Sequence, residues 1–128
     1  MTAPDDFVRE CLRAFERLDL DAFIEGFAQD ATAFFPEPEP PARVEGREAI
    51  RARFDQVFAG VRSRAASGPP WHRLDAEDLQ LQWLGPDIAV ATFHMADAVR
   101  LARRTFVLAR AGDRWRIVHL HASNAPAR

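Results

Sequence analysis

The sequence predicts an α+β domain in which three N-terminal helices pack on one face of a curved antiparallel sheet. One change along the chain predicts it. Before Pro70 the apolar residues recur mostly at helical spacing, and after it the period falls to two and stays there. Size supplies a second observation, because 128 residues carry one core and leave no room for two ordinary domains. No internal repeat or linker interrupts residues 1–128, which read as a single domain.

The first helix carries Phe7, Val8, Cys11, Leu12, Phe15 and Leu18 on one stripe, with Arg9, Glu10, Arg13, Glu16 and Arg17 on the wet side. Pro4 precedes it, and Asp5 and Asp6 stand where a helix dipole favours negative charge. A shorter helix beginning near Asp19 or Asp21 buries Phe23, Ile24 and Phe27. Ala31 to Phe35 reads as a short strand, ended by Pro36-Glu37-Pro38-Glu39-Pro40-Pro41, whose prolines withhold the donors that a ladder needs. Gly46 opens a third helix with Ile50, Phe54, Val57, Phe58 and Val61 inward, and Ser67-Gly68-Pro69-Pro70 stops it.

The remaining chain reads as a meander. Leu79, Leu81 and Trp83 alternate with Gln80 and Gln82, Gly85-Pro86-Asp87 turns the chain, and Ile88 to Met95 returns it. Asp97 and Ala98 mark the next turn, Arg104 to Arg110 a third strand, Ala111-Gly112-Asp113 another turn, and Trp115 to Ala122 the last strand.

Composition narrows the chemistry. The net charge of -2 and the absence of a basic block imply neither nucleic acid nor an anionic membrane as a partner. All 17 basic residues are Arg and Tyr is absent, which excludes lysine Schiff-base chemistry and any tyrosine donor. Cys11 is the single cysteine, so no intrachain disulfide or cysteine metal cluster forms, and a reducing compartment fits. The first residues lack a basic region followed by an apolar run, so the expected location is cytoplasmic.

Three segments carry a resemblance: Thr32-Ala33-Phe34-Phe35-Pro36-Glu37, Val44-Glu45-Gly46, and Trp115-Arg116-Ile117-Val118-His119-Leu120-His121-Ala122-Ser123-Asn124-Ala125-Pro126. In order and spacing they resemble the TAFxPE, VEG and WQIVHFHRSGAP segments of the calcium/calmodulin-dependent protein kinase II association (hub) domain. That domain lies within the nuclear transport factor 2-like superfamily, which includes SnoaL-like proteins. The resemblance implies a cone-shaped, cystatin-like fold with a cavity between the concave sheet face and the helices. The hub domain lines that cavity with arginines that bind carboxylate-bearing ligands. Carried over residue by residue, those positions fall on His94, Phe106 and Ala122 here, so the resemblance implies a cavity without a guanidinium fork and with His94 as its titratable group.

The candidate residues follow from that placement. His94, on the same side of its strand as Thr92 and Val90, is the candidate catalytic group, a general acid or base or a donor to a ligand oxygen; the plainer reading is a half-buried structural histidine. Trp71 and His72 would line the cavity rim, or Trp71 would seal the sheet end. Phe34 and Phe106 are candidate walls, Ala122 a small cavity position, and Asn124 a donor and acceptor at the rim; ordinary packing and a C-terminal turn account for them equally. His119 and His121 point one way on the last strand, and the absence of a third ligand at suitable spacing favours interface packing over a metal. Asp30 reads as turn chemistry, and Arg100, Arg103 and Arg104 read as a solvated hairpin.

The expected function is a SnoaL-like small-molecule-binding protein, a homodimer through the convex sheet face, with a compact, largely apolar ligand. Any catalysis would be cofactor-independent proton transfer, as in an isomerase, cyclase or dehydratase. The alternative is an association module without catalytic activity.

Overall fold

A computed structural model describes residues 2–36, 42–64, 73–96 and 100–127. Three helices, α1 (Pro4–Glu16), α2 (Leu20–Glu25) and α3 (Arg47–Arg64), accompany six strands: β1 (Phe27–Phe34), β2 (Val44–Glu45), β3 (Glu77–Trp83), β4 (Ile88–Ala96), β5 (Arg100–Ala111) and β6 (Arg114–Pro126). The predicted α+β class and element order are observed. Pro4 opens α1 ahead of Asp5 and Asp6, and the Asp19 side chain caps α2 by accepting from the Ala22 N–H at 3.2 Å.

The sheet is curved and open, in the order β2-β1-β6-β5-β4-β3. The pairs from β3 to β6 form the expected meander, but β1 joins β6 in parallel, so the sheet is not wholly antiparallel. That pairing joins segments about ninety residues apart in sequence, which local periodicity does not encode. The strand at β1 also starts at Phe27, ahead of the predicted Ala31, across an irregularity in its register with β6. The predicted turn at Asp97 and Ala98, the stop at residues 67–70, and most of the proline-rich loop lie outside the described residues.

Strand parity sorts the sheet into two faces. Directly paired residues share a face, so Trp83, Ala89, Leu108, Ile117 and Phe27 form one inward row, and Leu81, Ala91, Phe106, Leu120 and Ala33 a second. Most of these residues are fully buried. Their cover is a cluster of helix phenylalanines: Phe23 meets Phe54 at 4.7 Å and Phe27 at 5.5 Å, and Phe15 meets Phe58 at 4.8 Å, mostly edge to face. The Trp115 indole N–H donates to Thr2 O at 3.0 Å, fastening the segment ahead of α1 to the sheet. Among the described residues, no helix is long and apolar enough to cross a membrane.

Candidate functional site

The inward face continues beyond the phenylalanine cluster into two further rows, Phe93, Arg104 and Ala122, then Met95, Ala102 and Asn124. Arg104 is therefore on the helix side, two residues before Phe106 on β5. Its Nη1 donates to Arg103 O at 3.0 Å and Ser123 O at 3.2 Å, and no carboxylate among the described residues pairs with it. Burial, with Arg100 nearby, pushes the guanidinium down to about 10, which leaves it charged at neutral pH. Around it stand Phe93 and Phe106, edge to face at 5.2 Å, and the small Ala122. Asn124, oriented with its oxygen toward Arg100, accepts from that guanidinium at 3.2 Å and donates to Ser123 O at 3.0 Å. A half-buried cation satisfied only by carbonyls is costly to keep. It is also a donor fork ready for an anion.

The opposite face carries Thr92, His94, Arg103, Thr105, His121 and Ser123. A recess of about 280 Å³ opens among them, lined also by Asp78, Gln80, Phe93 and Arg104, so Arg104 borders this recess as well as the helix side, and a second of about 440 Å³ adjoins it at Glu77, Ala96, Arg100, Leu101 and Ala127. His94 and Asp78 border both. Farther along this face His119 is hydrogen-bonded to Thr32 Oγ1 at 2.7 Å, while the Phe34 ring lies 5.7 Å from His119 and 5.4 Å from His121. Burial, then His121 and Arg43, lower the His119 pKa below its usual value, against a raising contribution from Thr32.

This placement corrects three expectations. His94 faces away from the helices, because Ala89, Ala91 and Phe93 are the buried side of β4 and His94 alternates with them. Phe34 likewise faces outward, opposite Ala31 and Ala33. A shift of one residue exchanges the faces of a strand, and on β4 the helix-side positions beside His94 are Phe93 and Met95. Arg104, read as solvated, is the guanidinium that the helix side was expected to lack. Phe106, Ala122 and Asn124 do lie on the helix side, and His119 and His121 face outward as the resemblance implied, but not together with Ile117 and Trp115, as strict alternation would have it: a register irregularity opposite Val107 and Leu108 leaves those two buried inward. Trp71 and His72 lie outside the described residues. The signal for Arg104 was present in the sequence: it alternates with Phe106 and Leu108, both apolar and both buried. Among the described residues, no group of three or more His, Cys, Asp or Glu side chains is arranged to hold a metal ion.

A curved sheet roofed by helices, with polar groups at one end of its concave face, defines a class of small α+β proteins, and comparison with known families places the chain within it. Residues 5–128 match the SnoaL-like domain, and the chain belongs to that family. No curated protein matches the sequence. Among solved structures it is similar to a nuclear transport factor 2-like protein of Streptomyces avermitilis, provisionally assigned as a dehydratase, with 18% identity over 96% of this chain and 94% of that one, at a TM-score of 0.75. It is also similar to a nuclear transport factor 2-like protein of Pseudomonas putida, with 20% identity over 93% and 82% of the two chains and a TM-score of 0.74. A third similar structure, from Thiobacillus denitrificans and provisionally assigned as a calcium/calmodulin-dependent protein kinase type II association domain, shares 24% identity over 100% and 98%, with a TM-score of 0.71. Likeness at these identities shows the shared fold.

Proposed function

We propose that this SnoaL-like chain binds a compact organic anion on the helix side of β4, β5 and β6, with Arg104 as the anchoring cation. The supporting observation is the half-buried Arg104 guanidinium, which has two carbonyl partners and no carboxylate among the described residues. A carboxylate would accept its remaining N–H groups, and an apolar body would rest against Phe93 and Phe106. The ligand is thus amphipathic, where the sequence suggested a largely apolar one. The reading is binding and not turnover, because His94, the imidazole expected to move a proton, stands on the other face of the sheet from Arg104. The same reading keeps the chain a homodimer through the outer sheet face.

The test is a thermal-shift and calorimetric screen that pairs small carboxylic acids with their neutral amides and alcohols. Acids with an aromatic or short acyl body raise the melting temperature and their amides do not. Arg104→Gln abolishes the difference. Equal stabilisation by acid and amide, or an undiminished response in Arg104→Gln, overturns the assignment.

A further inference from the structure

The charges around the two outer recesses are sorted by side. Glu77, His94, Arg103 and Ser123 are neighbours across β3, β4, β5 and β6, and Asp78 follows Glu77 at the lip that both recesses share. Glu77, Asp78 and Arg103 are exposed, whereas His94 and Ser123 are half-buried. Among the described residues none of the three charged groups has an ion-pair partner: Asp78 accepts from Gln80 Nε2 at 3.2 Å, and Arg103 Nε donates to Ser123 Oγ at 3.2 Å. Asp78 holds its place with a φ of 54°, at the irregularity between Glu77 and Gln80 in the β3–β4 register. A left-handed aspartate is tolerated but not favoured, and backbone cost of this kind collects where a ligand is held. The adjoining row, Gln80, Thr92, Thr105 and His121, supplies an amide, two hydroxyls and an imidazole to the 280 Å³ recess.

We propose that this recess binds a free α-amino acid with a polar side chain, its ammonium group held by Asp78 and Glu77 and its carboxylate by Arg103 and Ser123. Sign decides the class of ligand. A plain anion would meet Arg103 but also two carboxylates, a plain cation would meet the reverse, and a neutral polyol would leave all three charges unpaired; a zwitterion answers both sides. Distance decides the kind of zwitterion. The acids on β3 and Arg103 on β5 are two strand spacings apart, about 10 Å at the roots of their side chains. An ammonium and a carboxylate on one α-carbon are about 3 Å apart, and a charge-assisted hydrogen bond of about 2.8 Å at each end brings the span to about 9 Å. The Ser123 hydroxyl, which accepts from Arg103, donates its own proton to the carboxylate. The ligand's side chain then lies over Gln80, Thr92, Thr105 and His121, where a polar group finds partners and an apolar one does not. The site goes beyond the Arg104 reading, which concerns a ligand without an ammonium group on the helix side. Every group comes from one chain, so the site is complete in a single copy.

The experiment is calorimetric titration of the full chain with L-serine and L-glutamine, and with serinamide and N-acetylserine, which each keep one of serine's two charges. Circular dichroism confirms that each variant folds. The two amino acids bind about tenfold or more tightly than either analogue of serine. Arg103→Gln lowers the affinity for serine to that for serinamide, and Glu77→Gln with Asp78→Asn lowers it to that for N-acetylserine. Arg103→Gln leaves the stabilisation by aromatic carboxylic acids in place, because that response belongs to Arg104. Failure of both amino acids to bind, or an analogue that matches serine, overturns the proposal without touching the Arg104 reading, which is tested with acids that carry no ammonium group. Wild-type affinity for serine in both charge-removed chains overturns the assignment to this recess.

Discussion

Arg104 and His94 show how a single peptide unit decides the chemistry of a side chain. Placed one position along β5, Arg104 would be wet and of little consequence; where it is, the guanidinium is half-buried and depends on two carbonyls. Two effects compete in its contribution to stability. Its hydrogen bonds to Arg103 O and Ser123 O are worth about 1–3 kcal/mol together, while removing a cation from water without a carboxylate partner costs several kcal/mol. The second effect is the larger. Arg104→Leu is therefore expected to raise the unfolding free energy by about 1 kcal/mol in urea titrations while abolishing the response to small carboxylic acids. A loss of 2 kcal/mol or more would make Arg104 a structural residue and remove the reason for assigning it a ligand.

The approach to β3 is held by α1. Glu16, buried to 9% exposure, accepts from the Leu74 N–H and from Arg13 Nε at 2.9 Å, while Arg13 Nη2 donates to Leu74 O at 2.7 Å and pairs with Asp75 at 3.5 Å. The last turn of α1 thus grips both backbone groups of Leu74. Glu16→Ala should cost about 2 kcal/mol, since it removes a charged acceptor and leaves a buried N–H unpaired. Hydrogen exchange at the Leu74 amide should accelerate with it; an unchanged exchange rate would show that water replaces the carboxylate. Nothing in the sequence marks this strap, because Glu16 reads as one more polar residue on a wet helix face. What the sequence does carry is periodicity: Phe7 to Phe15, Ile50 to Val61 and Leu79 to Trp83 took the structure that their spacing predicted, whereas Leu18, read as the end of the first helical stripe, lies past α1 with a φ of 53°. The parallel register of β1 on β6 and the facing of His94 were not legible in the same way. The first depends on pairing between distant segments, and the second on which of two alternating sets meets the helices.

Taken together, the two sheet faces divide the labour of the fold. The inward face pairs apolar rows with helix phenylalanines and reserves Arg104 for one end, whereas the outer face carries His94, His119, His121 and a row from Glu77 to Arg103 whose charges have no ion-pair partner among the described residues. That division makes stability depend on pH through His119. Its pKa is lowered in the folded chain, first by burial and then by His121 and Arg43, whereas in the unfolded chain it lies near about 6.5. Between the two values the unfolded chain binds more protons, so stability rises with pH. The contribution is intact above the unfolded value and is lost as pH falls below it toward the folded one. The groups facing His119 are Thr32 and Phe34 on β1, Val107 on β5, His121 on its own strand, and Arg43 with its partner Glu45 beside β2. Glu45 is paired with Arg43 at 3.4 Å, so no unpaired acid in this set compensates a protonated ring. Urea unfolding of the chain, at concentrations low enough to keep it monomeric, should therefore give a lower midpoint at pH 5.5 than at pH 7.5. His119→Gln, which can still hydrogen-bond Thr32 but cannot titrate, should flatten that difference. An equal loss of stability in both chains would show that the acid sensitivity arises elsewhere and that the outer face is indifferent to the charge of His119.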